Sequence, residues 1–515
     1  MKLLNKNKFL IYLKIGVKSK LFIQFHSILW SHLLYFEVQN CDFQFNSQFQ
    51  NKTVSFLIPM ALDNFITKFL QKHYIILNIY AMVAAFACYF CMYAFRKPFS
   101  VSEFKDLKFF DKVDYKIMAI TFQAIGYTFS KFFGIKFISE LRSRRGIWIV
   151  IFITIAEVAL IFFGFIPRPY NIFFMIINGL PLGLIWGLVF SFLEGRRTSE
   201  LLGAGLCVSF IVSSGAVKSV GKSLMNHGIS QFWMPALTGA IFFIPLMLSA
   251  FLLESLPDPD EKDIAARTER VVMNGKDRWR FFKTFWPGII VMTVFYMVLT
   301  AYRDFRDNFA AELWNAFGYS ETPSIFFVSE VIVALVVVIP IGLFMLIKTN
   351  MRVLISYHGL IIICMIFTGI ITIFKDSNKM KGLYFMVLSG IGLYIPYVLF
   401  NSIIFDLLIA TFKYKANSGF LMYICDSCGY LSSVAILFIK NFAATNLSWE
   451  QFYITISYVM AAAGIVLIAC SLIYYIIKYR GWNKLEDAND PSINDELDVE
   501  EDKKEEKNEE EEVNI

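Results

Sequence analysis

Two arginines in this 515-residue sequence combine a residue type and a spacing that suit the binding of an anion. Arg96 and Arg303 each follow an Ala-aromatic pair, and each lies at a similar distance from the start of a long apolar segment. Two guanidinium groups that face one cavity can hold a phosphate or a carboxylate through paired hydrogen bonds, which lysines do less well. In an alternative interpretation, both side chains lie at segment ends and extend into lipid headgroups.

Several carboxylates also lie inside apolar segments, where a charge is costly and marks a functional site by default. Glu157, Asp406 and Asp426 are interpreted as ion-coupling groups, because carboxylates in membrane helices serve as proton relays. Glu330 is a further candidate of this kind. The alternative is that each carboxylate pairs with a nearby Lys or Arg and only stabilises the structure.

The elements that must position these residues are long apolar segments. The sequence is 57% hydrophobic and 17% charged, with a mean hydropathy of +0.56, whereas about a quarter of the residues in a soluble chain are charged. A helix needs about 20 mostly apolar residues to cross a hydrocarbon core. Twelve segments meet this need and predict an all-α integral membrane protein. They cover residues 74–95, 116–139, 147–165, 171–193, 200–221, 232–254, 285–303, 323–347, 353–374, 383–408, 417–439 and 451–477.

The longest internal polar stretch separates the sixth segment from the seventh. This division into six and six is typical of transporters whose two helical bundles move against each other around a central site. The expected fold is therefore twelve transmembrane helices in two pseudo-symmetric six-helix bundles. The predicted divisions are a basic N-terminal extension over 1–73, an N-terminal six-helix bundle over 74–254, a cytoplasmic central loop over 255–284, a C-terminal six-helix bundle over 285–477 and an acidic disordered tail over 478–515.

The distribution of basic residues predicts the orientation in the membrane. Loops after even-numbered segments are richer in Lys and Arg than most loops after odd-numbered ones, and they include Arg144, Arg196 and Lys413. Both termini are therefore expected to be cytoplasmic. The N-terminal extension is basic and poor in acids, so it is interpreted either as a targeting segment or as a cytoplasmic extension. Self-repulsion among the acidic residues predicts disorder in the tail.

Two motifs resemble those of a known transporter family. The stretch YAFRKPFS occupies Tyr93–Ser100, and GYTFSKF occupies Gly126–Phe132. They are similar, in the same order, to motifs in the first two helices of the organophosphate:phosphate antiporter branch of the major facilitator superfamily. That branch includes the glycerol-3-phosphate and hexose-phosphate transporters.

The resemblance implies roles for individual residues. Arg96 and Arg303 would bind the phosphate, and Lys131 would line the same cavity. Tyr93, the first residue of the first motif, belongs to the predicted site. Arg306 is the alternative to Arg303 in the seventh segment.

The sequence departs from the family pattern around this site. The histidine of the family's fifth helix has no counterpart, and Lys218 in the fifth segment would supply positive charge instead. Asp304 and Asp307 flank the second arginine and could neutralise it.

Other classes of function find little support in the sequence. It contains no nucleotide-binding loop, no Ser/His/Asp arrangement and no zinc-ligand spacing, so no enzymatic activity, cofactor or metal is predicted. The basic residues lie in short loops, which fits membrane topology and not nucleic-acid binding. The expected partners are a small anionic solute and membrane lipids, and the chain is expected to be a monomer.

The sequence therefore predicts a multi-pass protein of the plasma membrane or of an organelle membrane. We expect it to transport a small anionic solute, an organic phosphate or phosphate, as an antiporter that works by alternating access. One alternative is a proton-coupled symporter of a sugar, an amino acid or a carboxylate. A second alternative is a transporter-like sensor that binds a solute without moving it.

Overall fold

The computed structural model describes residues 60–487, except for 111–112, 141–143, 195, 197, 262, 264–274, 345–349, 403, 415, 417 and 445. Most of the predicted N-terminal extension, part of the central loop and most of the acidic tail lie outside the described residues. The described part is mainly helical. One two-stranded antiparallel ribbon pairs β1, Lys108–Phe109, with β2, Val113–Asp114.

The α-helices follow one another along the whole described chain. In order they are α1 Met60–Lys72, α2 Tyr74–Met92, α3 Tyr115–Glu140, α4 Arg145–Phe165, α5 Phe174–Leu193, α6 Ser199–Asn226, α7 Met234–Glu254, α8 Gly275–Asn308, α9 Ala310–Ala316, α10 Ser324–Phe344, α11 Asn350–Asp376, α12 Gly382–Ser402, α13 Ile404–Phe412, α14 Ser418–Phe438 and α15 Trp449–Asp487. Short 3₁₀ helices lie at Tyr93–Phe95, Pro98–Val101 and Tyr170–Phe173, and a π-helix lies at Ile439–Ala443.

Twelve of these helices correspond to the twelve predicted segments. They are α2 to α8, α10 to α12, α14 and α15. The boundaries differ most at three places. Helix α8 begins at Gly275, well before the predicted start at residue 285, and α15 continues to Asp487, beyond the predicted end at residue 477. The tenth predicted segment is divided between α12 and α13.

The twelve helices combine long apolar stretches with a few polar side chains. Among the described residues, eight helices are long and apolar enough to cross a membrane by length and composition. Helix α10 contains a further apolar stretch, Ser324–Pro340. Helices α3, α6 and α14 carry polar side chains within apolar sequence, such as Lys131, Lys218 and Asp426. Polar residues are tolerated at membrane depth where they face the interior of a bundle.

Large apolar side chains cover the outside of the helices. Ile75, Ile244, Leu335 and Val466 are each more than 60% exposed. An exposed apolar surface of this kind is unfavourable in water and matches a lipid environment. The outside of the described part is therefore suited to contact with hydrocarbon.

The helices pack as two groups of six. In the first group α3 packs on α5, α4 on α5 and α7, and α2 on α6 and α7. In the second group α8 packs on α14 and α15, and α11 on α12 and α15. The two groups meet where α3 contacts α14 and where α6 contacts α10. Each of these contacts pairs the second helix of one group with the fifth helix of the other, which is a pseudo-twofold arrangement.

Candidate functional site

A break in helical structure after α2 positions Arg96. Two short 3₁₀ helices, Tyr93–Phe95 and Pro98–Val101, flank the arginine. Pro98 has no backbone N–H to donate, so the α-helical hydrogen-bond pattern does not continue through it. The carbonyl oxygen of Arg96 instead accepts a hydrogen bond from Gln123 Nε2 at 3.1 Å. This contact fixes the backbone of Arg96 against α3.

The side chain of Arg96 is buried between aromatic rings. The residue is 9% exposed, and its guanidinium carbon lies 4.0 Å from the centre of the Tyr127 ring and 5.9 Å from that of Tyr93. Among the described residues, no carboxylate forms an ion pair with it. Cation–π contacts offset part of the cost of burying the charge. An uncompensated buried charge is unfavourable, so Arg96 is a strong site for an incoming anion.

Arg303 lies on α8 and differs from Arg96 in its partners. Its Nε and Nη2 atoms donate to Asp304 Oδ1 at 2.9 and 2.5 Å. Its guanidinium carbon lies 4.2 Å from the centre of the Tyr397 ring. The arrangement of a cation on a tyrosine ring is therefore common to both arginines, but only Arg303 has a neighbouring carboxylate that reduces its charge.

Lys131 and Asp426 form an ion pair between α3 and α14. Lys131 Nζ lies 3.3 Å from Asp426 Oδ2. The Tyr296 hydroxyl donates to the other carboxylate oxygen, Oδ1, at 2.7 Å, and Asn401 Nδ2 donates to that hydroxyl at 3.2 Å. Three helices of the second group, α8, α12 and α14, thus hold the carboxylate in place.

These side chains line a central cavity between the two groups of helices. The cavity has two lobes that share Arg96, Tyr127 and Tyr430. With open solvent included, the lobes contain about 460 and about 400 Å³ of empty space. Among its described lining residues, cations exceed carboxylates by two. The cations are Arg96, Lys97, Lys131 and Arg303, and the carboxylates are Asp304 and Asp426.

Ion pairs join the two groups at one end of the cavity. Lys97 and Lys218 of the first group both contact Asp307 of α8. Lys116 Nζ of α3 lies 2.5 Å from Glu312 Oε1 of α9, with side chains 1% and 6% exposed. We call this region, defined by these five residues, the closed end. In the predicted orientation it is extracytoplasmic.

Glu312 at the closed end is a buried carboxylate with one oxygen atom that lacks a hydrogen-bond partner among the described residues. It lies in α9, outside the membrane-spanning helices. Its Oε2 atom is buried and has no hydrogen-bond partner among the described residues. Burial raises the pKa of Glu312 to about 7, although Lys116 opposes this rise.

The structure brings most of the predicted binding residues to the cavity. The predicted residues that line it are Tyr93, Arg96, Lys131, Arg303 and Asp426. Arg96 is buried between the two groups of helices and does not extend outward. Its role in binding remains a prediction, as do the roles of the other four.

Two predicted basic residues do not line the cavity. Lys218 contacts Asp307 at the closed end. Arg306 is 1% exposed, and it donates to Glu330 Oε1 at 2.8 Å and to the carbonyl oxygen of Met386 at 3.0 Å. Arg303 is therefore the arginine of α8 that reaches the cavity. Glu330 pairs with Arg306, as in the alternative interpretation that the carboxylates in apolar segments pair with a nearby Lys or Arg.

Two predicted carboxylates lie elsewhere. Glu157 of α4 packs against Gly239 of α7, where a methyl group would touch its carboxylate, and it does not line the cavity. The expectation that Asp406 is buried is wrong, because the residue is exposed. A new helix, α13, begins at Ile404 and turns its apolar side inward, which leaves Asp406 on the opposite side.

The cavity also contains side chains to which the sequence analysis assigns no role. Tyr127, Trp186, Tyr397 and Asn401 all line the larger lobe. The spacing of Tyr127 and Lys131 places them on one face of α3, which is a signal available in the sequence. Nothing in the sequence indicates that Tyr397 of α12 would lie over Arg303 of α8.

The described fold is similar to that of solved membrane transporters. A crystal structure of a D-xylose–proton symporter superimposes with a TM-score of 0.52 at 14% identity, over 76% of this chain and 96% of that one. A crystal structure of the nucleoside transporter NupG gives a TM-score of 0.51 at 16% identity, over 78% and 99%. At such identities the likeness concerns the fold alone. With the two groups of six helices, it confirms that this chain is an all-α integral membrane protein of the major facilitator fold.

Within that fold, the sequence defines a particular family. Residues 98–478 match the profile of DUF5690, which is described as a family of unknown function. The match spans most of the chain, so the chain belongs to this family. No curated protein matches the sequence at a significant level.

Proposed function

We propose that the chain is a transporter that carries a small organic phosphate, or phosphate itself, across a membrane by alternating access. The observation that carries this proposal is the state of Arg96, which is buried in the cavity without an ion-pair partner among the described residues. Arg303 lines the same lobe. Because Arg96 belongs to the first group of helices and Arg303 to the second, an anion held by both would link the two.

The charge of the cavity supports an anionic solute. Its described lining has two more cations than carboxylates. One of these cations, Lys97, is paired with Asp307 at the closed end, so the positive charge of Arg96 is the one left unmatched among the described lining residues. Planar guanidinium groups bind two oxygens of a phosphate at once. The resemblance of Tyr93–Ser100 and Gly126–Phe132 to the organophosphate:phosphate antiporters supports a phosphate in preference to other anions.

The same charges suggest why exchange would be favoured. Bringing the two groups together around an empty cavity would concentrate positive charge, which is unfavourable. A bound anion neutralises that charge and lowers the cost of the rearrangement. The expected activity is therefore antiport, in which the cavity changes from facing one side of the membrane to facing the other only with an anion bound.

Proton-coupled symport is the second candidate function. It is favoured by Asp426, a carboxylate that lines the cavity and accepts a hydrogen bond from Tyr296. One protein of the same fold is a D-xylose–proton symporter. Uptake driven by a pH gradient, without exchange for phosphate, would favour this function over antiport.

The proposal is tested by binding to the purified protein. We expect inorganic phosphate and glycerol 3-phosphate to raise its melting temperature. Arg96→Lys keeps the charge but loses the paired hydrogen bonds, and each charge-assisted bond contributes about 1.5–3 kcal/mol. The affinity for both anions should fall by about ten- to hundredfold. Arg303→Lys should have a smaller effect, since Asp304 already occupies part of that guanidinium.

The matched control is Arg168→Lys. Arg168 is exposed, and its guanidinium carbon lies 5.6 Å from the Phe232 ring, away from the cavity lining. This variant should bind both anions as the wild type does. Equal affinities in the Arg96→Lys and Arg168→Lys proteins would remove Arg96 from the binding site and with it the main support for a phosphate solute.

A further inference from the structure

A carboxylate and two aromatic rings surround the ammonium group of Lys131, and these groups could also bind the ammonium group of a ligand. Lys131 Nζ lies 3.3 Å from Asp426 Oδ2. It also lies 5.6 Å from the ring centres of both Tyr127 and Trp186. A carboxylate combined with aromatic faces is an arrangement that recognises ammonium groups.

Asp426 is held in this position by residues other than Lys131. The hydroxyl of Tyr296 donates to its Oδ1 atom, and Asn401 supports that hydroxyl. Tyr296 is fully buried, whereas the side chain of Asp426 is 13% exposed and lines the cavity. The carboxylate would therefore keep its place if the lysine moved away.

The anion site and this carboxylate belong to one lobe of the cavity. Arg96, Arg303, Lys131 and Asp426 all line it. Lysine is a flexible cation that can turn towards a phosphate bound at the two arginines. If it does so, Asp426 loses its cation, and leaving a carboxylate in this largely buried position unpaired is costly. A cation on the substrate would restore the pair.

We propose that the substrate is an organic phosphate that also bears an ammonium group. The phosphate binds Arg96 and Arg303, and the ammonium replaces Lys131 on Asp426 between the rings of Tyr127 and Trp186. This inference rests on the proposed function and narrows its substrate class.

The test compares two phosphates that differ mainly by the ammonium group. Binding of 2-aminoethyl phosphate and of ethyl phosphate is measured by calorimetry on the full-length protein in maltoside micelles, which contain neither phosphate nor ammonium. The wild type should bind the amino compound about ten- to hundredfold more tightly, as expected for one charge-assisted contact. In Asp426→Asn this ratio should fall to about one.

Two further variants keep the result interpretable. Tyr296→Phe removes the hydroxyl that positions Asp426 and should reduce the ratio even if Asp426→Asn fails to fold. Asp406→Asn alters an exposed carboxylate and should leave the ratio unchanged. Equal binding of the two phosphates by the wild type would overturn this inference and leave the proposed function standing. Binding of neither phosphate would overturn both.

The group 2-aminoethyl phosphate, or phosphoethanolamine, is also the headgroup of a common membrane lipid. A second titration therefore distinguishes a free solute from a lipid headgroup as the ligand. The titration is repeated with phosphatidylethanolamine added to the micelles. Undiminished binding of 2-aminoethyl phosphate assigns the site to a free solute. Loss of binding shows that the lipid headgroup competes for the same chemistry.

Discussion

At the scale of single residues, two arginines from similar sequence contexts have different electrostatic environments. Arg96 lies on Tyr127 without an ion-pair partner among the described residues, whereas Arg303 lies on Tyr397 beside Asp304. The guanidinium of Arg96 is therefore available to an anion, whereas Asp304 partly neutralises the guanidinium of Arg303. The pair is therefore asymmetric although the fold is pseudo-symmetric.

This asymmetry predicts the effect of removing one carboxylate. Asp304→Asn should tighten the binding of phosphate by roughly tenfold, because Arg303 would then be free of an acidic neighbour. Thermal shift titration with phosphate measures the change. Asp106→Asn is the matched control, since Asp106 is exposed and asparagine tolerates its φ of 60°. Unchanged or weaker binding in Asp304→Asn would contradict the charge-sharing interpretation.

Sequence reasoning identified several cavity residues from type and spacing alone. Arg96, Arg303 and Asp426 were selected because ionisable groups inside apolar segments are costly. Lys218 and Arg306 are predicted site residues because of the family resemblance, and the structure pairs them with carboxylates instead. Their partners, Asp307 and Glu330, come from other helices, and a single sequence does not show which acid meets which base.

At the scale of helices, close packing of α5 on α3 positions the residues of α3 that line the cavity. A methyl group on Gly179 would meet the carbonyl oxygen of Gln123, and one on Gly183 would meet Ser130 and the carbonyl oxygen of Tyr127. The glycines at this spacing in the fourth apolar segment indicate close helix packing. The backbone of α3 therefore approaches α5 where no side chain fits.

Gly183→Ala should consequently destabilise the protein by about 1–3 kcal/mol, because overpacking forces a backbone or side-chain shift. The comparison is Gly359→Ala in α11, where an added methyl group meets nothing within 4 Å. Replacing that helical glycine should be neutral or stabilise by up to about 1 kcal/mol. Unfolding of both variants in a denaturing detergent gives the two values. A loss of stability equal in both would show that the α3–α5 contact is not tight.

The closed end should respond to pH through Glu312. Its pKa is raised to about 7 where it is buried against Lys116, and exposure to water on opening would return it towards about 4.3. The closed arrangement thus binds a proton more tightly than the open one. Lowering the pH through 7 should favour closure, and raising it should favour opening.

Spin labels on exposed loops of the two helix groups test this dependence. Lys105→Cys and Lys379→Cys, in a background without the native cysteines, place one label on each side. The distance between the labels should shorten as the pH falls from about 8 to about 5. Glu312→Gln removes the titrating group and should abolish the change. A pH response that persists in the glutamine variant would assign it to another residue.

Helix positions were largely predictable, and helix environments were not. Hydropathy located all twelve segments, since a membrane helix requires a long apolar run. It did not indicate that the tenth segment divides between α12 and α13 and leaves Asp406 exposed. That outcome depends on how α13 packs against its neighbours, α11, α12 and α14.

At the scale of the whole molecule, two bundles enclose a positively charged cavity and are joined by ion pairs at one end. The polar contacts between the bundles that link described residues lie near the cavity or at the closed end. This arrangement suits a protein in which an anion is bound between two moving parts. The cytoplasmic location of both termini, the predicted domain boundaries and the monomeric state remain predictions.

The central claim is that the cavity moves an anion across the membrane by way of Arg96, and flux through purified protein tests it most directly. Phosphate-loaded proteoliposomes should take up labelled glycerol 3-phosphate and 2-aminoethyl phosphate in exchange for internal phosphate. Uptake should fall at least about tenfold in Arg96→Lys, while Arg168→Lys stays at the wild-type rate and all three proteins melt at similar temperatures. Anion binding without uptake would indicate a sensor, and wild-type uptake by Arg96→Lys would show that Arg96 does not bind the transported anion.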